Sequence, residues 1–283
     1  MALINNQKFG ITKWWLNCAL ETIQYDREIF RSSKAREAQK KFIAGSSVLK
    51  ALKEWLLAAQ IIQSASERGQ YELTKFGRTI KQNDKNLENS STWWAFHLSI
   101  CFSERKEPYV SFFIALDNIG KSWVSLDSIK NQAAERLSRQ SAEESVNSSL
   151  TGIVSMFDKD QPLADLGLVD VLQSDRQKSF RLGSPKINDE VFLHGLAMAR
   201  TNLFATRTTV EFSELIKNNV HTYLCLSPEE FRKSLRSISR KDEWQKYFSF
   251  TEAVNLNSVF FSEHLKSTDT LLILLQNAKD SWL

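Results

Sequence analysis

Glycine and proline are scarce. The 283 residues include 9 glycines and 4 prolines, too few for a collagen-like, low-complexity or linker-dominated chain, and few for a turn-dense β protein. That scarcity predicts helices. Cysteine is scarce too. Cys18, Cys101 and Cys225 are widely spaced, odd in number and form no C-x-x-C pair, which argues against a disulfide scaffold or a zinc ribbon. None has a His or cationic partner beside it in sequence, so they read as reduced, buried thiols in a cytoplasm. Long apolar runs are missing: Leu271–Leu275 falls far short of the ~20 residues a membrane helix needs. The opening Met-Ala-Leu-Ile-Asn-Asn-Gln-Lys lacks the basic region and apolar stretch of a signal peptide. The expectation is a cytoplasmic chain with no membrane partner. Its 42% hydrophobic and 25% charged residues fit an ordinary globular protein.

The net charge of +4 hides an uneven distribution. Residues 1–90 carry 15 Lys and Arg against 9 Asp and Glu, whereas residues 91–187 and 188–283 each carry 11 against 12. Between Arg27 and Lys53, eight cations meet only Glu28 and Glu37. Such an excess attracts polyanions, nucleic acid first among them; the bland alternative is a solvated helix face. The shift in charge suggests three modules: a basic one over 1–90, a second over 91–187, and a helical or mixed one over 188–283.

Hydrophobic spacing reveals a repeat. Val48, Leu52, Trp55, Leu56 and Ala59 recur at i, i+4, i+7, i+8 and i+11, one face of a helix over Ser46–Gln60 that Ser46 or Ser47 can cap. An amphipathic stretch, Ser33–Phe42, precedes it. Ile61-Ile62, a polar tip Ser64–Gln70 and Tyr71–Leu73 follow as a hairpin. Val146, Leu150, Ile153, Val154 and Phe157 repeat the same offsets, after a helical Leu126–Leu137 and before a hairpin of Leu168–Leu172 and Ser179–Leu182 with Gln173–Lys178 as its tip. The second copy differs by an insertion, Asp158–Gly167. A third candidate runs through Val210–Ile216, Ser227–Ile238 and Tyr247–Val254. The fold class expected is mainly α with small β-hairpins, built as tandem winged helix-turn-helix modules.

The copies differ in charge. The first helix carries Ser46, Lys50 and Lys53 outward; Asn147, Ser148 and Thr151 stand in the corresponding region of the second, behind Glu143-Glu144. Cations on such a helix reach phosphates or base edges in a major groove, and acids there repel phosphate. Copy one therefore reads as the nucleic-acid reader, with Lys40, Lys41, Ser46, Ser47, Lys50, Lys53 and Arg68 as the DNA-binding set; copy two reads as structural or partner-binding. The competing account pairs Lys50 with Glu54 at i+4.

Catalytic motifs are harder to find. There is no H-E-x-x-H and no P-loop. Asp165, Asp170, Asp175 and Lys178 form a loose acidic set, but two of them fall in a predicted hairpin tip. Asp158-x-Asp160 lacks the later Gly and Glu of a calcium loop. His97, among Trp93, Trp94 and Phe96, reads as a core histidine; His194, His221 and His264 are isolated. Trp14-Trp15 and Trp93-Trp94 read as core, with stacking on an opened strand as the alternative.

Six stretches carry a resemblance. Asp84-x-x-Leu87-Glu88-x-x-x-Thr92-x-Trp94-x-x-His97 is the most specific. Phe9 with Trp15-Leu16, Ile43-Ala44-Gly45 through Trp55, Leu73-Thr74-x-x-Gly77-x-x-Ile80, Phe180-Arg181-x-Gly183-x-Pro185 and Asp189-Glu190-Val191-Phe192 agree in order. Together they resemble the SspB-type DNA phosphorothioation protein family, a domain of unknown function found beside reductase-like ATP pyrophosphatase genes. The chain departs from the pattern at Ser46, where the family has Lys, and at Thr12, Asn17 and Cys18, where it has basic neighbours. The resemblance implies a phage-defence component that binds double-stranded DNA and nicks one strand at modification sites. It also implies Mg²⁺ if nicking is intrinsic, and three partners: a cysteine desulfurase, an ATP pyrophosphatase resembling PAPS reductase, and an ATPase. A homodimer stays open. Two other classes compete: a non-catalytic winged-helix adaptor that recruits sulfur-inserting enzymes, and a transcriptional regulator.

Overall fold

Helices dominate, as the shortage of glycine and proline predicts. The computed structural model describes residues 3–137, 142–174, 177–253 and 256–280. Two compact units make up the chain, Met1–Leu182 and Gly183–Leu283. No helix among the described residues is long and apolar enough to cross a membrane.

Unit 1 opens with α1 (Lys13–Tyr25), capped where the Trp15 amide donates to Thr12 Oγ1 at 3.3 Å. A 3-10 turn (Ser32–Lys34) leads to α2 (Ala35–Phe42), α3 (Ser46–Ala58) and the hairpin of β1 (Ile62–Ser64) and β2 (Tyr71–Leu73). The Tyr71 amide donates to the Arg27 carbonyl at 2.8 Å, which draws the α1–α2 connection alongside β2. Then come α4 (Lys75–Asn83), α5 (Ser90–Cys101) and α6 (Tyr109–Ile119), followed by β3 (Val124–Ser125), α7 (Leu126–Leu137) and α8 (Glu143–Ser155). A short α9 (Pro162–Asp165) fills the insertion before β4 (Val169–Ser174) and β5 (Gln177–Leu182). β3 pairs with β5, giving the order β3-β5-β4. Both strands of this hairpin run further toward the tip than hydrophobicity predicts, because backbone pairing continues through the polar pair Gln173 and Lys178.

The core of unit 1 gathers around α5 and α6. Every residue of α5 from Ser91 to Cys101 is buried, the mark of a helix enclosed on all sides. His97 is a core residue there, its Nδ1 2.8 Å from Tyr109 Oη. One expectation needs correcting. Cys101 does have a histidine beside it: its Sγ lies 3.6 Å from His97 Nε2, one helical turn away, an i, i+4 spacing present in the sequence. The stretch Asp84–His97 is structural too. Asp84 accepts the Glu88 and Asn89 amides at 3.0 Å and the Thr92 hydroxyl at 2.7 Å, so it fastens the turn that starts α5.

The segment before α1 works as a strap. Asn6 Nδ2 donates to the Ser149 carbonyl at 2.7 Å, and Ser149 Oγ donates to the Ile4 carbonyl at 2.9 Å. The Phe9 carbonyl accepts Trp55 Nε1 at 2.8 Å. One stretch of backbone therefore joins α3 to α8. It lies so close that a Cβ on Gly152 would stand 2.7 Å from Asn6 Nδ2 and 2.9 Å from the Phe9 nitrogen.

Unit 2 comprises α10 (Asp189–Leu203), β6 (Thr209–Glu211), α11 (Phe212–Lys217), α12 (Val220–Tyr223), α13 (Pro228–Ile238), β7 (Phe248–Ala253), β8 (Leu256–Phe261) and α14 (Ser267–Asp280). Its sheet order is β6-β8-β7. The third candidate copy is thus a strand, two longer helices with a short one between, and a hairpin. Val210 belongs to the strand, and Val254 lies outside the described residues. Ser227 and Glu230 form the capping box of α13, with Pro228 in the first turn.

Two outcomes follow from this packing. Gly152→Val is expected to lower stability by about 1–3 kcal/mol through overpacking against the strap, read as a lower urea midpoint. In unit 2, His194 is fully buried; its Nδ1 meets Thr270 Oγ1 at 3.0 Å and its Nε2 has no partner among the described residues. Burial lowers its pKa from 6.5 to about 4. The folded state therefore takes up the proton later than the unfolded state. Its contribution is complete above pH 6.5 and is lost as pH falls toward 4, by up to about 3 kcal/mol. Urea unfolding at pH 7 and pH 5 should show the loss, and His194→Gln should flatten it.

Candidate nucleic-acid interface

The turn between α2 and α3 sets the geometry of the basic region. Ile43 takes a left-handed conformation (φ 46°, ψ 50°) with its side chain 80% exposed. Gly45 is the N-cap of α3 and offers no side-chain bond. Ser46 and Ser47, expected as caps, are instead the first helical residues, exposed on the first turn. No side chain caps this helix start.

Along α3 the expected periodicity sorts inner from outer residues. Leu52, Trp55, Leu56 and Ala59 are buried, and only Val48 is part-exposed. Lys50 is exposed and has no ion pair among the described residues. Glu54 does not neutralise it: the Glu54 carboxylate lies 3.1 Å from Arg105 and 4.0 Å from Lys53. Lys53 is half-buried, with its Nζ 5.9 Å from the centre of the Tyr71 ring. Ser46, Lys50 and Lys53 line one cleft of about 190 Å³ with Arg31, its wall formed by Phe30, Ala38 and Leu49.

The hairpin tip is held from below. Arg31 reaches Glu28 at 2.7 Å and Glu67 at 3.5 Å, and donates to the Arg68 carbonyl at 3.0 Å. Gly69, at φ +80°, lies against the Arg31 stem, a conformation glycine adopts without strain. The Arg68 side chain is exposed and, among the described residues, unpaired. Lys40 and Lys41 are exposed on the last turn of α2. Sequence reasoning missed Arg31 as the residue joining cleft to hairpin, since its partners lie 36 and 37 positions away.

Other basic residues are spoken for. Lys34 is held by Asp26 at 2.7 Å, a hydrogen bond that raises its pKa, and Arg27 lies 3.4 Å from Glu72. Among the described residues, Arg36, Lys40, Lys41, Lys50 and Arg68 are exposed without an ion pair, so only four of the eight cations of the charge run, with Arg68 of the hairpin, carry the open cationic field.

The acidic set of the second copy does not converge. Asp170 is clamped by Arg181 across the strand pair at 2.5 and 3.1 Å, and Lys178 pairs with Asp158 at 2.5 Å. Asp165 is exposed, and Asp175 lies outside the described residues. No group of three His, Cys, Asp or Glu side chains among the described residues could hold a metal ion. The residues described do not form a resident Mg²⁺ cage. Of the tryptophans, Trp93 and Trp94 are buried, whereas Trp14 is 48% exposed, contrary to its expected place in the core.

Comparison with known proteins places this geometry in a family. No protein of curated function matches the chain. Two solved structures match across 99% of this chain and 88% of theirs. One is a magnesium ion-bound SspB crystal structure at 16% identity, the other an SspB crystal structure at 15%, both with a TM-score of 0.76. At that identity the likeness is one of fold. Residues 5–276 match the model of the family described as "Protein of unknown function (DUF4007)". The chain belongs to the DUF4007 family and shares the fold of the SspB crystal structures.

Proposed function

We propose that the chain is a DNA-binding component of a bacterial DNA phosphorothioation system, docking double-stranded DNA on α3 of unit 1. One observation carries the reading: Lys50 stands exposed and unpaired on α3 while Glu54 is committed to Arg105. A surface pair there would have cancelled the field, and a free ammonium is the group that releases counterions from a phosphate backbone. Three further features support it. The element order of helices and hairpin fits a winged helix-turn-helix, in which the helix before the hairpin enters the groove. The first turn of α3 leaves backbone N–H groups without a side-chain cap, a favourable place for a phosphate. Arg31 fixes the hairpin so that Arg68 can meet the adjacent backbone. In this reading residues 1–90 read DNA and residues 91–187 brace them. Residues 188–283 form a C-terminal helical and mixed module, and a cysteine desulfurase, an ATP pyrophosphatase and an ATPase are the partners.

Lys50→Ala/Lys53→Ala is expected to weaken duplex binding roughly ten-fold and to lower the log–log salt slope by up to about 0.9 per lost contact. Fluorescence anisotropy across a salt series measures both. Unchanged affinity and slope would remove α3 from the interface.

A second reading, strand nicking assisted by Mg²⁺, is favoured by the magnesium of the similar SspB structure. Incubation of the purified chain with supercoiled plasmid distinguishes it. Open circles that form with Mg²⁺ and vanish with chelator support nicking; intact supercoils leave a DNA-binding adaptor that recruits sulfur-inserting enzymes.

A further inference from the structure

The basic helix of unit 2 has a charge pattern that the reading of α3 does not use. α13 occupies in its unit the position α3 occupies in the other: a helix precedes it and a hairpin follows. Here the resemblance to α8 ends. α8 contains no Lys or Arg and starts with Glu143 and Glu144. α13 carries Arg232 and Arg236 four residues apart, and Arg240 keeps that interval two residues past its end. Ser239 between them is still helical (φ −63°, ψ −14°). Four residues of helix rise about 6 Å, comparable with the separation of successive phosphates on a DNA strand.

One carboxylate serves two of the three arginines. Glu252, on β7, accepts two bonds from Arg236 at 2.6 and 2.9 Å and lies 3.8 Å from Arg232. The Arg236 bonds first, then the charges of Arg236, Arg232 and Arg240, hold its carboxyl below the usual range. Arg232 is also oriented, its guanidinium carbon 4.4 Å from the centre of the Phe212 ring. Arg240 is exposed, with no ion pair among the described residues. Two acids stand at the start of α13, and the charge of Glu229 reaches Arg236. Glu230 is used in the capping box, and Glu229 faces Lys233 at 3.7 Å. Anion contact therefore falls on the middle and end of the helix.

We infer that α13 is a second DNA-binding face, where Arg232, Arg236 and Arg240 take consecutive phosphates of a duplex in place of the Glu252 carboxylate. The planar guanidinium fork of Arg236 donates to carboxylate and phosphate oxygens in the same paired geometry, so a phosphate can replace the Glu252 carboxylate there. Contacts of this kind position a duplex without reading its sequence. The inference rests on the proposed DNA-binding function but not on the assignment of α3.

The full chain, titrated into labelled duplex DNA across a salt series, tests it. Arg236→Gln/Arg240→Gln is expected to weaken binding about ten-fold and to lower the salt slope by nearly two contacts' worth. Glu252→Gln breaks the same ion pair but leaves the arginines, and is expected to tighten binding several-fold. A purely structural role for the pair would move both variants the same way. Should the double variant fail to fold, Arg240→Gln alone carries the test, with an expected loss of about one contact in slope. Unchanged affinity and slope in the arginine variants, beside wild-type binding that Lys50→Ala/Lys53→Ala weakens, overturns α13 and leaves α3 standing. Binding that follows the arginines but prefers duplex RNA overturns the choice of DNA. A wild-type chain that binds no duplex overturns both faces.

Discussion

The hydrogen bond from Trp55 Nε1 to the Phe9 carbonyl sits where the demands on unit 1 meet. Trp55 is the largest side chain on the inner face of α3 and is completely buried. Its ring meets Tyr109 of α6 edge-on, at 6.1 Å between centres, and Tyr109 in turn engages His97 of α5. The end of α3 is tied to the same helix, since Ser99 Oγ donates to the Ala59 carbonyl at 2.6 Å. A buried indole N–H left without an acceptor costs roughly 1–3 kcal/mol, so the position of the strap and the orientation of α3 are a single choice. The outer face, with Lys50, inherits its aim from the inner one.

Charge is spread over the copies by pairing more than by number. Lys34, Arg27 and Arg31 in the first copy are all matched with carboxylates at 2.7 to 3.5 Å, and they shape the connection before α2 and the hairpin tip. Exposed pairs of this sort contribute little stability, so their value lies in fixing geometry. Lys40 and Lys41 of α2, Lys50 of α3 and Arg68 of the hairpin tip have no such match among the described residues. In the second copy Arg181 and Lys178 are matched with Asp170 and Asp158, and nothing comparable is left over on α8. In the third candidate, two guanidiniums, of Arg232 and Arg236, meet the one Glu252 carboxylate.

Periodicity made the helices legible. The five apolar offsets of α8 are all buried, and four of the five on α3; Leu126–Leu137 matches α7 end for end. Such regular burial follows directly from a 3.6-residue period. The hairpin of β4 and β5 was harder to delimit, because backbone pairing does not care whether a tip residue is polar. Short β6 was hidden because the apolar Val210 reads equally well as helix or strand. Contacts between distant residues were not legible at all. Nothing local says that Arg105 takes Glu54, that Arg31 holds the hairpin, or that the strap crosses from α3 to α8. The most recognisable motif, Asp84–His97, proved to be a turn clamp and a core helix.

Gly152 bears on the shape of the second copy. A helix normally gains from alanine over glycine at an interior position by roughly 0.5–1 kcal/mol. α8 forgoes that preference so that the strap can lie against its backbone, and Gly10 presses on it as well, with no space for a Cβ beside Ser155 and Met156. One flank of the helix is thereby occluded along its second half. A rod that is to slide into a groove must be bare on both sides of its leading edge, and this one is not. In the middle of the chain this helix is a girder, upholstered on one side by the segment that precedes α1.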